Sequence, residues 1–221
     1  GACTLKNVWF RDVVKVSRTG IPLESGVERQ EGQAKLTYDT DAVSALGTGN
    51  VLWQGGGANA AKDKVVQHNG RGTVTIKDAT FVGVGKVYRS CGDCTNNGGP
   101  RNVVISNIRV NGVSSDLVGI NSNYGDTATI SGSCGVSKKV CQEYKGVTKG
   151  SGSSSKVSTT ANCRGAQGTL SKLPVVELGA LMGLGKVRRV SEEERGREWA
   201  FSLDRGSVPL KCFVVDGIDA I

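Results

Sequence analysis

The chain has 221 residues, enough for one domain with a real core. No apolar run approaches the ~18–20 residues that a membrane span needs. The net charge of +8 invites a polyanion, but neither a nucleic-acid motif nor a set of stacking aromatics accompanies it, which argues against nucleic acid. The charge is concentrated in residues 41–171, with 14 Lys and Arg against 7 Asp and Glu. A basic surface with no polyanionic partner is the bland alternative.

With 32 Gly, 4 Pro and many Val, Thr, Ser and Asn, the composition suggests β-structure with many turns. Residues 1–13, GACTLKNVWFRDV, read as a strand-turn-strand coil with Leu5, Val8 and Phe10 inward. There is no initial Met, so an N-terminal part of the fold is expected to be missing. Residues 14–40 then lose all period, and a loop of that length inside a compact domain is suspect. From Asp41 the β-pattern returns, through DAVSALGTGNVLWQGGGANA, a strand at Lys64, and RGTVTIKDATF. In the last, Val74 and Ile76 alternate with Thr and Lys, as in a half-buried strand.

Further strands are expected at 102–110, 117–121 and 127–132. Ile76, Ile105 and Ile130 are spaced 29 and 25 residues apart, within the range of imperfect solenoid repeats. The Asn-rich turns SCGDCTNNGG and NSNYGD suit left-handed backbone. KGVTKGSGSSSKVSTT, 145–160, reads as a flexible outer loop. Residues 172–221 change character again, with a marginal helix around 188–201 followed by a strand. Periodicity alone leaves a parallel β-helix and a β-sandwich open.

Seven cysteines accompany a single histidine, His68. A metal site would want a second C-x-x-C or histidine ligands, so disulfides in a secreted protein are the better reading. The pair Cys91 and Cys94 lies in C-G-D-C without a thioredoxin-like βαβ context, which favours a structural disulfide.

Two basic clusters, Lys64 in DKVVQHNG and Lys86 with Arg89 in GKVYRSCGDC, lie about one coil apart. Together with GTVTI and LVGINSNYGDTATISG at 117–132, they resemble the family 3 pectate lyases. These are small secreted enzymes that cleave polygalacturonate by β-elimination. The resemblance is dense over about 41–150, with a short fragment at 1–13. It implies an all-β, right-handed parallel β-helix, truncated at its N-terminus and acting as a secreted, extracellular monomer on pectin.

Elimination removes the weakly acidic C5 proton beside a uronate carboxylate, and a cation on that carboxylate stabilises the developing charge. The resemblance makes Arg89 the base. Arginine is normally locked in its charged form, so nearby cations (Lys86, Lys64 and Ca²⁺) are expected to lower its pKa. The alternative is an Arg89 paired with a carboxylate. By the same resemblance Lys64 neutralises the substrate carboxylate, and Lys86 is the second basic position. Strand period two puts Lys62 on the Lys64 face as a substrate contact, unless K-x-K is merely solvated. His68 is expected in a scaffold turn as a hydrogen-bonded structural residue.

Calcium is the implied cofactor and needs several hard oxygen ligands. The family's acidic run, approximately Asp-Val-Cys-Glu-Asp-Ala, is broken here: Asp12-Val13 ends one block and Asp41-Ala42-Val43 begins the next. Thr40 stands in the glutamate position, leaving Asp41, with Asp12, and so a weak or absent site. Residues 14–40 read as translated non-coding sequence. The expected division is a β-helix over 1–171 and a poorly ordered tail over 172–221. The functional alternatives are a catalytically impaired pectin-binding β-helix protein and a polygalacturonase-type hydrolase, for which the scattered acids argue poorly.

Overall fold

The computed structural model describes residues 2–10 and 41–175, together with the backbone of two short strands at Val27–Glu28 and Lys35–Thr37. In chain order the strands are β1 (Ala2–Phe10), β2 (Val27–Glu28), β3 (Lys35–Thr37), β4 (Val43–Leu46) and β5 (Asn50–Asn59). Then come β6 (Lys64–His68), β7 (Gly72–Lys77), β8 (Thr80–Val82), β9 (Lys86–Ser90) and β10 (Arg101–Ser106). The last five are β11 (Arg109–Asn121), β12 (Ala128–Ser131), β13 (Cys134–Lys145), β14 (Ser155–Lys156) and β15 (Cys163–Arg164). Parallel pairing between successive coils makes this an all-β parallel solenoid rather than a sandwich.

Three parallel ladders enclose the core. The first runs β1–β5–β7–β10–β12–β15, and its inward column is Leu5, Trp53, Ile76, Ile105 and Ile130, each the register partner of the next. The isoleucine spacing in the sequence is this column. Its side chains are almost completely buried, each contributing on the order of 1.5–3 kcal/mol. No coil could bury its apolar face alone, so the stack is what stabilises it. Phe10 and Phe81 pack edge-on against Trp53, with ring centroids 5.3 and 5.6 Å away.

The second ladder aligns Phe10, Ala58, Phe81 and Val110. Here β1 passes close to β5: a Cβ on Gly56, whose φ is +69°, would lie 2.1 Å from the Val8 carbonyl oxygen. Only glycine fits there. The third ladder, β4–β6–β9–β11–β13, aligns Val43, Val66, Tyr88, Val118 and Cys141 inward. A charged column two residues before these, together with Arg89, builds the site.

Several expectations change. Over the described part of 1–13, residues 2–10, the chain is one strand rather than strand-turn-strand: β1 is continuous through Asn7, whose φ is 52°. Leu5 is fully buried, and Val8 and Phe10 pack partly buried on the core. The NSNYGD turn is a 3₁₀ turn, Ser122–Tyr124, closed by left-handed Gly125 rather than by an asparagine. Residues 145–160 are not a free loop, because Ser155 and Lys156 pair antiparallel with Lys145 and Tyr144. Leu173 joins the core, and Pro174 accepts a hydrogen bond from the Gly135 N–H, beyond the expected boundary at 171.

Within 14–40, β2 pairs antiparallel with β1, and β3 with β4. The rest of that segment, including Thr40, lies outside the described residues, as do Asp12, the expected helix around 188–201 and the strand after it. Among the described residues, disulfides join Cys91 to Cys94 and Cys141 to Cys163. His68 ends strand β6 instead of sitting in a turn. It is buried, and its Nδ1 lies 2.8 Å from the Tyr88 hydroxyl, a structural hydrogen bond.

Candidate active site

Parallel register stacks equivalent positions of successive coils, so residues distant in sequence become neighbours on one face. In the third ladder Lys64 on β6 is the direct partner of Lys86 on β9. One coil back, the Lys64 N–H points to Asp41 Oδ1 at 3.4 Å. One coil on, Lys86 Nζ donates to Asp116 Oδ2 at 2.7 Å. The charged column therefore reads Asp41, Lys64, Lys86, Asp116, followed by Lys139 as the partner of Asp116.

Lys62 does not share this face. Strand β6 begins at Lys64, and Lys62 lies exposed in the preceding bend, where period two no longer applies.

The Lys64 ammonium lies 3.3 Å from Asp41 Oδ1 and 2.5 Å from Asp63 Oδ2. Burial pulls its pKa down, but the Asp63 hydrogen bond and the two carboxylate charges outweigh burial, leaving it above the usual lysine value. Burial also pushes the Asp41 carboxyl up, and Lys64 offsets only part of that. Both shifts are upward because the pair keeps the proton on Lys64 while the low-dielectric surroundings disfavour charge on Asp41.

Lys86 behaves differently. It also donates to Ser115 Oγ at 2.8 Å and reaches the Tyr144 hydroxyl at 3.5 Å. Burial dominates and lowers its pKa, with further lowering from the Arg89 and Lys156 charges, against the pull of Asp116.

Arg89 follows Lys86 by three residues on β9 and is 7% exposed. Its Nη1 donates to Asn121 Oδ1 and its Nη2 to Ser154 Oγ, both at 3.0 Å. The guanidinium carbon lies 3.9 Å from the centre of the Tyr144 ring. No carboxylate among the described residues lies within 4.0 Å of it, so the carboxylate-paired alternative does not hold. Its pKa is lowered, as expected, but burial is the main cause, and Tyr144 and Asp116 act in the opposite direction. The expected origin in neighbouring lysines is replaced by desolvation.

Space for this arrangement comes from glycine. Gly119 is the register partner of Arg89 on the next coil. A Cβ on Gly119 would sit 2.7 Å from Arg89 Cδ and 3.0 Å from Tyr144 Cε2.

Four contributors had no distinctive signal in the sequence: Asp116, Asn121, Tyr144 and Ser154. Asp116 could have been found only by counting one coil on from Lys86. Ser154 comes from the stretch read as a free loop.

Of the expected calcium ligands, Asp12 lies outside the described residues. Asp41 and Asp63 both face the same ammonium, and among the described residues no group of three or more His, Cys, Asp or Glu side chains converges. Calcium takes six to eight oxygens, so the described donors do not fit it.

Comparison with known proteins identifies the family. The chain is 43% identical over 148 residues to a probable pectate lyase E of Neosartorya fischeri, covering 66% of this chain and 48% of that protein. It is 44% identical over 150 residues to pectate lyase H of Emericella nidulans, covering 66% of this chain and 47% of that protein. The chain thus spans about half the length of these relatives. A solved structure of pectate lyase PelI from Erwinia chrysanthemi, in complex with tetragalacturonic acid, aligns at 32% identity, 77% of this chain, 69% of that chain and a TM-score of 0.47. The pectate lyase family model matches residues 38–151, which include Asp41, Lys64, Lys86, Arg89, Asp116 and Tyr144. With more than half of its residues matched, the chain belongs to the pectate lyase family.

Proposed function

We propose that this chain is a polysaccharide lyase that cuts polygalacturonate by β-elimination outside the cell, with Arg89 as the base. The observation that carries this reading is the juxtaposition of two register-paired lysines, Lys64 and Lys86, with a buried arginine that has no carboxylate partner among the described residues. Lys64 and Lys86 hold the uronate carboxylate and draw off the charge that develops beside C5. Arg89, its proton loosened by burial, takes the C5 hydrogen in its neutral form. The electron pair of that C–H bond becomes the C4–C5 double bond, the C4–O4 bond breaks, and the departing oxygen takes a proton from water. The disulfides support an oxidising, extracellular setting.

Calcium remains the cofactor that the family resemblance implies. The second reading, a pectin-binding β-helix without turnover, is favoured by one observation: Asp41 and Asp63 are occupied by Lys64.

One assay separates the readings. The chain is incubated with polygalacturonate, with added Ca²⁺ and with chelator, and ultraviolet absorbance is followed, since only elimination creates the absorbing unsaturated product. Rising absorbance is the expected result. New reducing ends without absorbance would mean hydrolysis, and retained polymer with neither signal would leave the binding role.

A further inference from the structure

We propose that Asp116 and Tyr144 form a positioning pair that holds both cationic groups of the site, Lys86 through the Asp116 carboxylate and Arg89 through the Tyr144 ring. The inference rests on the lyase reading for its consequence in turnover, but not for the geometry.

The Asp116 carboxylate is almost fully enclosed, with its side chain 2% exposed. A carboxylate so placed is retained only where its oxygens are satisfied. Oδ2 accepts from Lys86 Nζ at 2.7 Å, Oδ1 from Ser115 Oγ at 3.0 Å, and the Tyr144 hydroxyl lies 3.2 Å from each oxygen. Lys156, on the strand that pairs with β13, stands at 3.9 Å. One acid on β11 thus fixes a lysine from the preceding coil and a tyrosine from the following one.

Tyr144 carries the constraint onward. Its hydroxyl is anchored by Asp116, and its ring lies against the Arg89 guanidinium at 3.9 Å, within cation–π distance. Asn121 and Ser154 take the Nη1 and Nη2 ends. The guanidinium is therefore fixed on a face and at two ends by groups that carry no negative charge. A carboxylate would fix it equally well but would strengthen its hold on the proton. Asp116 stays one side chain away, so its charge, like that of Tyr144, raises the Arg89 pKa by less than burial lowers it, and its contact with Arg89 runs through the phenol. Its charge and hydrogen bond, after burial, keep that phenol protonated, with a pKa pushed up to about 12.

Three variants test this: Asp116→Asn, which keeps shape and loses charge; Tyr144→Phe, which keeps the ring; and Tyr144→Leu, which loses it. Each is first compared with wild type by thermal unfolding. Arg89 guanidinium N–H signals, assigned with Arg89→Lys, are then followed by NMR in all four folded proteins. The expectation is a ring-shifted Arg89 set in wild type, kept in Tyr144→Phe, and lost to the bulk arginine position in Tyr144→Leu. In Asp116→Asn it should be broadened or shifted. In turnover, Tyr144→Leu and Asp116→Asn should each lower kcat about tenfold or more with KM changed less than about threefold, and Tyr144→Phe should recover most of the Tyr144→Leu loss. Unchanged Arg89 signals in Tyr144→Leu, or full kcat in both Tyr144→Leu and Asp116→Asn, would overturn the proposal. If wild type makes no unsaturated product, the lyase reading fails, while the NMR signals still decide the positioning. If Tyr144→Leu does not fold, Tyr144→Phe against Asp116→Asn decides it: equal loss of the Arg89 shift in both would overturn the role of the ring.

Discussion

Lys64 and Lys86 are direct partners on adjacent parallel strands, yet their ammonium groups are driven in opposite directions. Carboxylates on both sides hold Lys64 above the usual lysine pKa, and burial brings Lys86 below it. The two lysines should therefore fail differently. Lys64→Ala should raise KM and lower kcat together, because Lys64 holds the ground-state carboxylate and meets additional charge as the transition state develops. Lys86→Met should in addition destabilise the fold by about 3 kcal/mol, the low end for breaking a buried pair, since it strips the enclosed Asp116 of a cation that keeps some exposure. Kinetics and urea unfolding of the two variants check this, and equal stability losses would contradict the asymmetry.

Arg89→Lys keeps the charge but loses the planar fork that meets Asn121, Ser154 and the Tyr144 ring. Turnover should fall about 10²–10⁴-fold, the usual worth of a general base, while polygalacturonate binding persists. Binding by affinity electrophoresis alongside the absorbance assay measures both. Substantial lyase activity in Arg89→Lys would remove Arg89 from the base role.

Burial first, then the charges of Arg101 and Arg71, lower the pKa of His68 from 6.5 to about 3. The unfolded chain therefore binds a proton at His68 that the folded chain refuses. Stability should be full above pH 6.5 and fall as the pH drops toward 3, by up to about 1.4 kcal/mol per unit from this residue. His68→Gln should lose less stability than wild type between pH 7 and pH 5 in urea titrations. Parallel pH curves for the two proteins would exclude His68 as the source.

Gly119→Ala places a methyl group 2.7 Å from Arg89 Cδ and 3.0 Å from the Tyr144 ring. Both side chains can move, so the fold should survive with a small loss in Tm. The stack on which Arg89 lies should not. A drop in kcat of about tenfold or more with a Tm change of a few degrees is expected. Equal activity would show that the contact is dispensable.

Much of this was legible in the sequence because a solenoid writes its register as spacing. Ile76, Ile105 and Ile130 announced the core column, and Lys64 with Lys86 announced the paired charges. Arg89 was visible through its motif, but the cause of its lowered pKa was not, because burial depends on what covers a residue. Its cover comes from Tyr144 and Ser154, 55 and 65 positions downstream in the sequence. Lys62 stands off the Lys64 face because alternation stops at the first residue of a strand, a boundary that no local pattern marks. Asp116 was invisible for another reason: a lone acid in SSDLVG looks like any surface residue until the next coil encloses it.

Strand β1 keeps its register with β5 from Ala2–Asn50 to Phe10–Ala58, although 30 residues separate Phe10 from Asp41. The ladder, not chain continuity, tells β1 where to dock. Closing a longer excursion between two docked strands grows costlier only logarithmically, by about 0.6 kcal/mol for each doubling of length. A single inward side chain such as Leu5 contributes more than that. The corner of a coil is thus a place where the fold tolerates extra chain length between strands that still find each other.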